Sequence, residues 1–488
     1  MAKLLQEVLA PINYQVLQGN VSGEIMGLAI DSRKVSTGFL FFAIKGSHSD
    51  GHDFVQAAIE NGAAGIVCTE DPKSLPKHLH CIIVEDSREA VAQAAAVFYD
   101  YPSRHLKLIG VTGTNGKSSV VSLLHQLHSG LGYKCGLLST IKNQIDQEER
   151  PSSLTTPDPI SLNLLLRNMV DANCSHAFME VSSHAIDQKR VFGVHFELAI
   201  FTNLSHDHLD YHHTFAEYLA TKKKLFDSMP ASSIVLVNVD DPRGNVMLQN
   251  CAAQQYTYAL RTMADFKGRI LENGPTGLHM YFDEQDLHVR LLGVFNAYNL
   301  MAVYAATRLL GTTAEQALPR LSALTPPAGR FEAIHDSVGN RTFVVDYAHT
   351  PDALKNVLQT IQKIKDKGGW VVTVVGCGGD RDVTKRPIMA KIAVTYSDRV
   401  ILTSDNPRSE PPESIIEDMM KGLDATESRK VLRIADRGEA IRTAHALAAA
   451  GSMILIAGKG HEAYQEINGV RNPFSDQEFI ENLLHPES

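Results

Sequence analysis

Short apolar runs alternate with amphipathic stretches from about Leu106 onward. LKLIGVT reads as a buried strand. The following SSVVSLLHQLHSG carries apolar residues at Val120, Val121, Leu124 and Leu127, a helical spacing that Gly130 ends. Strand candidates recur at HAFMEVSS, FELAIFTNLS and SSIVLVNVDDP, each an apolar run ending in polar residues. This alternation predicts a parallel sheet covered by helices, with ligands at the strand C-terminal ends where the polar residues gather. At LTPPAGRFE the paired prolines and Gly329 interrupt the periodicity, which resumes with the strand RTFVVDYAHT. WVVTVVGCGGD, RVILTSDNP and SMILIAGKGHE read as further strands, and PDALKNVLQTIQKIK as one of the helices among them, giving a second doubly wound unit. The opening segment is less regular: DSRKVSTGFLFFAIKG and AAGIVCTE read as strands and VQAAIENGA as a helix, a small α/β unit.

Composition narrows the class. The chain has 488 residues, and at roughly 100–200 residues per domain this suggests about three cores. With 44% hydrophobic and 21% charged residues it is an ordinary globular protein. A net charge of -9 argues against nonspecific nucleic-acid binding, which needs a basic surface, so local positive groups must hold any anionic substrate. The six cysteines, Cys68, Cys81, Cys135, Cys174, Cys251 and Cys377, show neither zinc-ligand spacing nor a disulfide framework, which fits a reducing compartment. MAKLLQEVLAPINYQ lacks the pattern of a signal peptide, and no run approaches the ~20 apolar residues that span a bilayer. A soluble cytoplasmic protein without membrane insertion is expected.

Between a strand and a helix, Gly110 to Ser119 reads GVTGTNGKSS. Glycines allow the backbone close to an anion, the helix N-terminus supplies partial positive charge, and Lys117 adds a full one. Ser118 would offer a hydroxyl to magnesium. The common G-x-x-x-x-G-K-[ST] pattern would place glycine at Val111, where this chain has instead Gly110 and Gly113. A Gly-rich turn with a solvated lysine is the alternative, but strand, GKS and helix coincide as a phosphate site requires.

GTNGKS (Gly113 to Ser118) resembles the loop of the Mur ligases and their folylpolyglutamate synthetase relatives. The resemblance continues through DSR (Asp31 to Arg33), MEVSSH (Met179 to His184), TNLSHDHLDYH (Thr202 to His212), NVDDPRG (Asn238 to Gly244) and GVFNAYN (Gly293 to Asn299). It runs on through GRFE (Gly329 to Glu332), DYAHTPDAL (Asp346 to Leu354), GCGGDRD (Gly376 to Asp382), SDNPR (Ser404 to Arg408) and GKGHE (Gly458 to Glu462). It implies an α/β protein of three domains: a small N-terminal α/β domain gripping UDP (1–103), a central P-loop parallel-sheet ATPase (104–329), and a C-terminal doubly wound, Rossmann-like domain bringing the amino acid (330–488). The family transfers the γ-phosphoryl group of ATP to a substrate carboxylate, and an amine then displaces phosphate from the acyl phosphate. Two anionic reactants must meet, so charge neutralisation and positioning should dominate catalysis.

For ATP, the resemblance points to Gly113, Thr114, Asn115, Gly116, Lys117, Ser118 and Ser119, to Asn296 and Asn299 at the base, and to Arg330, Asp346 and His349 after domain closure. It implies magnesium held by Ser118 and Glu180, with His208 and a carbamylated Lys222 at a second ion; Lys117, Glu180, His208 and Lys222 form the catalytic set. The A-K-x-x-L-F pattern selects Lys222 over Lys223 and Lys224, although three adjacent lysines ordinarily mark a solvated helix face. Ile30, Ser32, Ser47, His48 and Ser49 match positions at the uridine diphosphate, and Thr155, Thr156, Ser182, Gln188 and Arg190 positions near the muramoyl peptide. Leu154 departs from the asparagine that some diaminopimelate-adding members carry, which puts that contact in doubt.

The SDNPR segment bears on the incoming amino acid, because diaminopimelate-adding members resemble DNPR where lysine-adding members typically lack the arginine. Meso-diaminopimelate differs from lysine by a distal carboxylate, which the planar fork of Arg408 can bind bidentately. Arg381, Asp405, Asn406, Pro407, Gly458 and Glu462 match the remaining contacts, arginines for carboxylates and acids for ammonium. The expected activity is addition of meso-diaminopimelate to UDP-N-acetylmuramoyl-L-alanyl-D-glutamate by a monomer. The rivals are a lysine-adding member and a noncatalytic ATP-binding regulator; intact Lys117, Glu180, His208 and Lys222 speak against the latter.

Overall fold

The computed structural model describes residues 2–485 apart from 47–48, 74, 153, 206–208 and 275–276. In the N-terminal part, strands β1 (Tyr14–Gln18), β2 (Gly27–Ala29), β3 (Phe39–Phe42), β4 (Ala63–Cys68) and β5 (His80–Val84) form a sheet of order β1-β5-β4-β3-β2, parallel except for β1. Helices α1 (Val55–Glu60) and α2 (Ser87–Phe98) cover it on opposite faces. The strand expected across DSRKVSTGFLFFAIKG is shorter: Ser32–Lys34 is a 3-10 turn because the Asp31 carboxylate takes the Arg33 N–H at 3.0 Å, and only FLFF joins the ladder.

The central part holds β6 (Lys107–Thr112), α3 (Lys117–Gly130), β7 (Cys135–Leu138), β8 (Asn143–Ile145), β9 (Glu148–Arg150), α4 (Pro159–Asp171), β10 (His176–Glu180), α5 (Ser183–Asp187), β11 (Leu198–Phe201), α6 (Phe215–Asp227), β12 (Ile234–Asn238), β13 (Gln254–Ala259) and β14 (Phe266–Lys267). Its sheet runs β9-β8-β7-β10-β6-β11-β12-β13-β14 and is parallel apart from β8, which pairs antiparallel with both β7 and β9 at one edge. Strand alternation divides the core. Ile109, Val111 and Ile200 pack against α3 and α7 (Val294–Leu309), while Leu108, Ala199 and Phe201 pack against α4 and α6. A three-stranded antiparallel sheet, β15 (Arg269–Gly274), β16 (Gly277–Phe282) and β17 (Gln285–Val289), adds Leu278, Met280 and Phe282 to the first face.

The C-terminal part contains β18 (Glu332–Asp336), β19 (Arg341–Asp346), α8 (Pro351–Ile364), β20 (Val371–Val375), α9 (Lys385–Tyr396), β21 (Arg399–Leu402), β22 (Val431–Arg433), α10 (Arg437–Leu447), β23 (Met453–Ala457), the hairpin β24 (Tyr464–Ile467) and β25 (Val470–Pro473), and α11 (Asp476–Leu484). Its sheet order is β18-β19-β23-β20-β21-β22, with α8 and α9 on one face and α10 and α11 on the other, a doubly wound arrangement. The first strand after Gly329 is β18 rather than RTFVVDYAHT. EAIHD carries polar residues among its apolar ones and gains strand character by antiparallel pairing with β19. Among the described residues no helix is long and apolar enough to cross a membrane.

Candidate active site

Strands β10, β6 and β11 lie side by side in parallel, with Glu180 opposite Val111 and Phe201 opposite Thr112. Their C-terminal ends therefore form one edge. The loop 113–116 leaves β6 there and enters α3 through Gly116, whose φ of +88° suits glycine and whose position lacks a side-chain cap. Uncapped N–H groups at a helix start are anion donors. A Cβ on Gly113 would lie 2.0 Å from Thr202 Oγ1, and one on Gly116 2.6 Å from Asn299 Oδ1. From below, Thr202 Oγ1 donates to Asn115 O at 2.7 Å, while Asn203 accepts from Asn115 N at 3.0 Å through its side-chain oxygen. Lys117 Nζ curls over the loop to Gly113 O and Thr114 O, both at 2.9 Å.

Glu180 is 1% exposed and accepts from Thr140 N at 2.7 Å. Thr140 Oγ1 in turn donates to Thr155 Oγ1 at 3.0 Å, and Thr156 Oγ1 donates to Glu180 O at 2.8 Å and also receives the Ser182 N–H. Arg190 donates to Thr156 O at 2.8 Å and grips Gln188 Oε1 through Nε and Nη2. Burial pushes the Arg190 guanidinium below its ordinary value. Lys222, on α6, is 1% exposed, with Nζ 3.0 Å from Gly113 O and over the Tyr218 ring at 4.8 Å.

The C-terminal part closes the site from above. Arg330 Nη2 donates to Ser118 Oγ at 2.9 Å, and its guanidinium lies 4.6 Å from the Tyr347 ring centre. Asp346 accepts from Phe331 N at 2.7 Å; burial raises its carboxyl to about 6 against the opposing pull of Arg330. The loops after β20 and β21 are stitched together, Gly379 N to Asn406 O at 3.0 Å and Arg408 Nη1 to Gly379 O at 2.7 Å. Arg408 itself adopts φ +50°, with its backbone N–H on Glu466 O. Asn406 Nδ2 donates to Glu462 Oε2 at 2.7 Å. Burial and then the nearby Asp405 raise the Glu462 carboxyl, while the buried Lys459, 3.3 Å away, opposes them.

Many of these groups line one cavity of about 1180 Å³, reached by Lys117, Ser118, Glu180 and Lys222 on the central side and by Arg381, Asp405, Arg408 and Glu462 on the other. Residues 24–106 match the catalytic domain of the Mur ligase family, 111–307 the Mur ligase middle domain, and 329–460 the Mur ligase glutamate ligase domain. A UDP-N-acetylmuramoyl-L-alanyl-D-glutamate–2,6-diaminopimelate ligase of Bacteroides fragilis is 52% identical over 98% of this chain and 99% of its own. The chain belongs to the Mur ligase family. The ligase of the same name from Aquifex aeolicus is 41% identical over 94% of each chain. A solved structure of an enzyme with that name superposes with TM-score 0.69 at 32% identity, covering 99% of both chains. A MurF ligase from Thermotoga maritima in complex with ADP, 18% identical, covers 88% of this chain and 93% of its own with TM-score 0.61, a likeness of fold.

Within this Mur ligase the large cavity takes in Thr114 to Ser119, Asn299, Arg330, Asp346, His349, Thr155, Thr156, Ser182, Arg190, Arg381, Asp405, Asn406, Arg408, Gly458 and Glu462. Other expected residues stand apart from its wall. Asn296 is 3% exposed and acts on its neighbour, accepting from Asn299 Nδ2 at 3.0 Å, so a direct contact with the base would need it to turn. Gln188 is held by Arg190, and Pro407 O packs on Gly379. Ile30, Ser32 and Ser49 belong to the N-terminal part, where Ile30 packs on the core, Ser32 O accepts from Asn61 and Ser49 O accepts from Gly46 N. Ser47, His48 and His208 lie outside the described residues.

Thr140 was not among the expected site residues, although its place just beyond the apolar run Cys135–Leu138, at a strand C-terminal end, is a usable signal. Thr202, Asn203 and Asp240 lie within the motifs TNLSHDHLDYH and NVDDPRG but were not among the expected site residues. Asp240, on the cavity wall, accepts from Leu260, Arg261 and Thr262 N–H groups, the Thr262 hydroxyl and Tyr298 Oη. Burial works against its ionisation, but these hydrogen bonds prevail and hold it well below the usual carboxylate range.

Proposed function

We propose that this chain is an ATP-dependent ligase that joins meso-diaminopimelate to the D-glutamate of UDP-N-acetylmuramoyl-L-alanyl-D-glutamate, through an acyl phosphate, in cytoplasmic peptidoglycan precursor synthesis. The observation that carries it is one cavity bringing a phosphate loop against a pocket with both arginines and carboxylates. Sequence relatives of about half identity over nearly the full chain, bearing that activity in their names, support it. We assign the UDP-binding, ATP-binding and amino-acid-binding domains to 1–103, 104–329 and 330–488. The protein acts as a monomer on small molecules, with no nucleic-acid partner.

In this reading the uncapped start of α3 and Lys117 take the ATP phosphates, with Arg330 moving from Ser118 Oγ to the anion as nucleotide enters. The Ser118 hydroxyl and the buried Glu180 carboxylate are hard oxygen donors facing the same cavity and fit magnesium. Bound there, magnesium would screen the repulsion between the γ-phosphate and the substrate carboxylate. Lys222 as an ammonium cannot ligate a cation; addition of its deprotonated amine to carbon dioxide, with loss of a proton, would make it a carbamate oxygen donor beside Gly113, with His208 as its companion. Thr155, Thr156 and Arg190 orient the D-glutamyl carboxylate next to Glu180. Arg408 and Arg381 take the distal carboxylate of the diamino acid, and Asp405, Asn406 and Glu462 its ammonium, which leaves the other amine directed toward the acyl phosphate.

The test is phosphate release with ATP, magnesium and UDP-N-acetylmuramoyl-L-alanyl-D-glutamate, comparing meso-diaminopimelate, L-lysine and no amino acid, with the product mass measured. Turnover with diaminopimelate is expected. Turnover with lysine alone would overturn the amino-acid assignment, and silence with both would overturn the ligase reading.

A further inference from the structure

The amino-acid pocket is built from two loops that leave different strands. Asp405 to Arg408 follow β21, Gly458 to Glu462 follow β23, and β20 separates the two strands in the sheet. Backbone pairing within the six-stranded sheet therefore does not set one loop against the other; at their outer ends the chains meet through Asn406 Nδ2 on Glu462 Oε2 and the Arg408 N–H on Glu466 O, while their bases have no such direct pairing in the sheet. Beneath both lies Arg437, the first residue of α10, with its side chain wholly removed from solvent. Its Nη1 donates to Ser404 O at 3.3 Å and its Nη2 to Ala457 O at 3.1 Å, the carbonyls immediately before Asp405 and Gly458. The other edge of the guanidinium meets the equally buried Asp476 of α11, Nε to Oδ1 and Nη2 to Oδ2, both at 2.7 Å.

A helix N-terminus disfavours a cation, and a buried ion pair adds little net stability over well-packed apolar side chains. Stability alone therefore gives weak grounds for an arginine here, whereas geometry gives strong ones. A guanidinium carries five N–H donors in a fixed plane, so it can hold two carbonyls and a carboxylate in one arrangement; an ammonium is a point donor. The tolerance at the pocket is small, since a Cβ on Gly458 would fall 2.3 Å from Asp405 Oδ2. A small slip of either loop changes the spacing between Asp405, Glu462 and the arginine fork.

We propose that Arg437 and Asp476 are positioning residues for the amino-acid substrate: a buried clamp that fixes the two substrate loops in mutual register and ties that register to the docking of α11. The inference rests on the amino-acid pocket assigned above and adds to it a pair of residues that do not touch the substrate.

The decisive variant is Arg437→Lys, which keeps a cation for Asp476 but cannot span both carbonyls. Steady-state kinetics of the full-length enzyme should show the KM for diaminopimelate rising about tenfold or more and the KM for ATP changing by less than about twofold, with the preference for diaminopimelate over lysine reduced. Asp476→Asn, which keeps the shape and removes the charge, should move the same constants in the same direction by less. Should the lysine variant fail to fold, Asp476→Asn decides by the same split. An unchanged diaminopimelate KM in a folded variant, or equal rises in both KM values, overturns the clamp. If the wild-type enzyme uses lysine instead, the assignment of substrate fails, while the same split measured with lysine still tests the clamp.

Discussion

Arg408, proposed to take the distal carboxylate of the diamino acid, reaches the cavity from an unusual backbone conformation. Its φ of +50° is costly for a residue with a Cβ, and the conformation is held by the paired bonds of its backbone, Arg408 N to Glu466 O and Asn468 N to Arg408 O. The guanidinium rests on Gly379 O, beside the loop that carries Arg381. A charge-assisted hydrogen bond contributes about 1.5–3 kcal/mol, and a site left with an unpaired partner discriminates strongly. Arg408→Ala is expected to raise the KM for diaminopimelate at least about tenfold while altering that for ATP far less; equal effects in steady-state assays would remove Arg408 from the pocket. The residue type and the DNPR spacing were readable in the sequence. The strained backbone was not, because it depends on the hairpin Tyr464–Pro473, more than fifty residues downstream.

Among the elements, α3 and β10 are joined by more than the apolar spacing suggested. Their interface includes His128 and His176, with ring centres 5.1 Å apart, near Phe178 and Tyr133, and His125 lies buried on the same helix. Burial holds His125 and His128 down to about 4 and His176 to about 3. Depressed folded values mean that the stability is fully present above the ordinary histidine value near 6.5 and is lost as pH falls from there toward 4. Each such group can account for up to on the order of 3 kcal/mol over that interval. The thermal midpoint should therefore drop between pH 7 and pH 5, and His128→Phe should flatten that dependence. A wild-type midpoint independent of pH in this range would contradict the argument. Helical periodicity located α3 correctly, yet it could not reveal that polar histidines share its buried side, since the packing partner, β10, lies about fifty residues away.

At the scale of the whole molecule, the site exists because the central and C-terminal sheets present their strand ends to a common cavity, with Arg330 bridging to Ser118 and stacking on Tyr347. Removing that bridge should impair nucleotide use without unfolding either part. Arg330→Ala is expected to lower kcat/KM for ATP about tenfold with a thermal midpoint within a few degrees of wild type; unchanged ATP kinetics would overturn the nucleotide role proposed for Arg330. The alternation of strands and helices, the Gly-rich loop between β6 and α3 and the break at Pro326–Gly329 were determined by sequence alone, because each rests on local periodicity or backbone freedom. The tertiary structure decided the rest: the antiparallel β8–β9 edge, the added β15–β17 sheet, the strand at Glu332–Asp336, the inward-turned Asn296 and the Arg437 clamp. These depend on contacts between residues distant along the chain. A polar side chain that grips another strand's carbonyl leaves no periodic trace in its own neighbourhood, so only the folded arrangement could identify it.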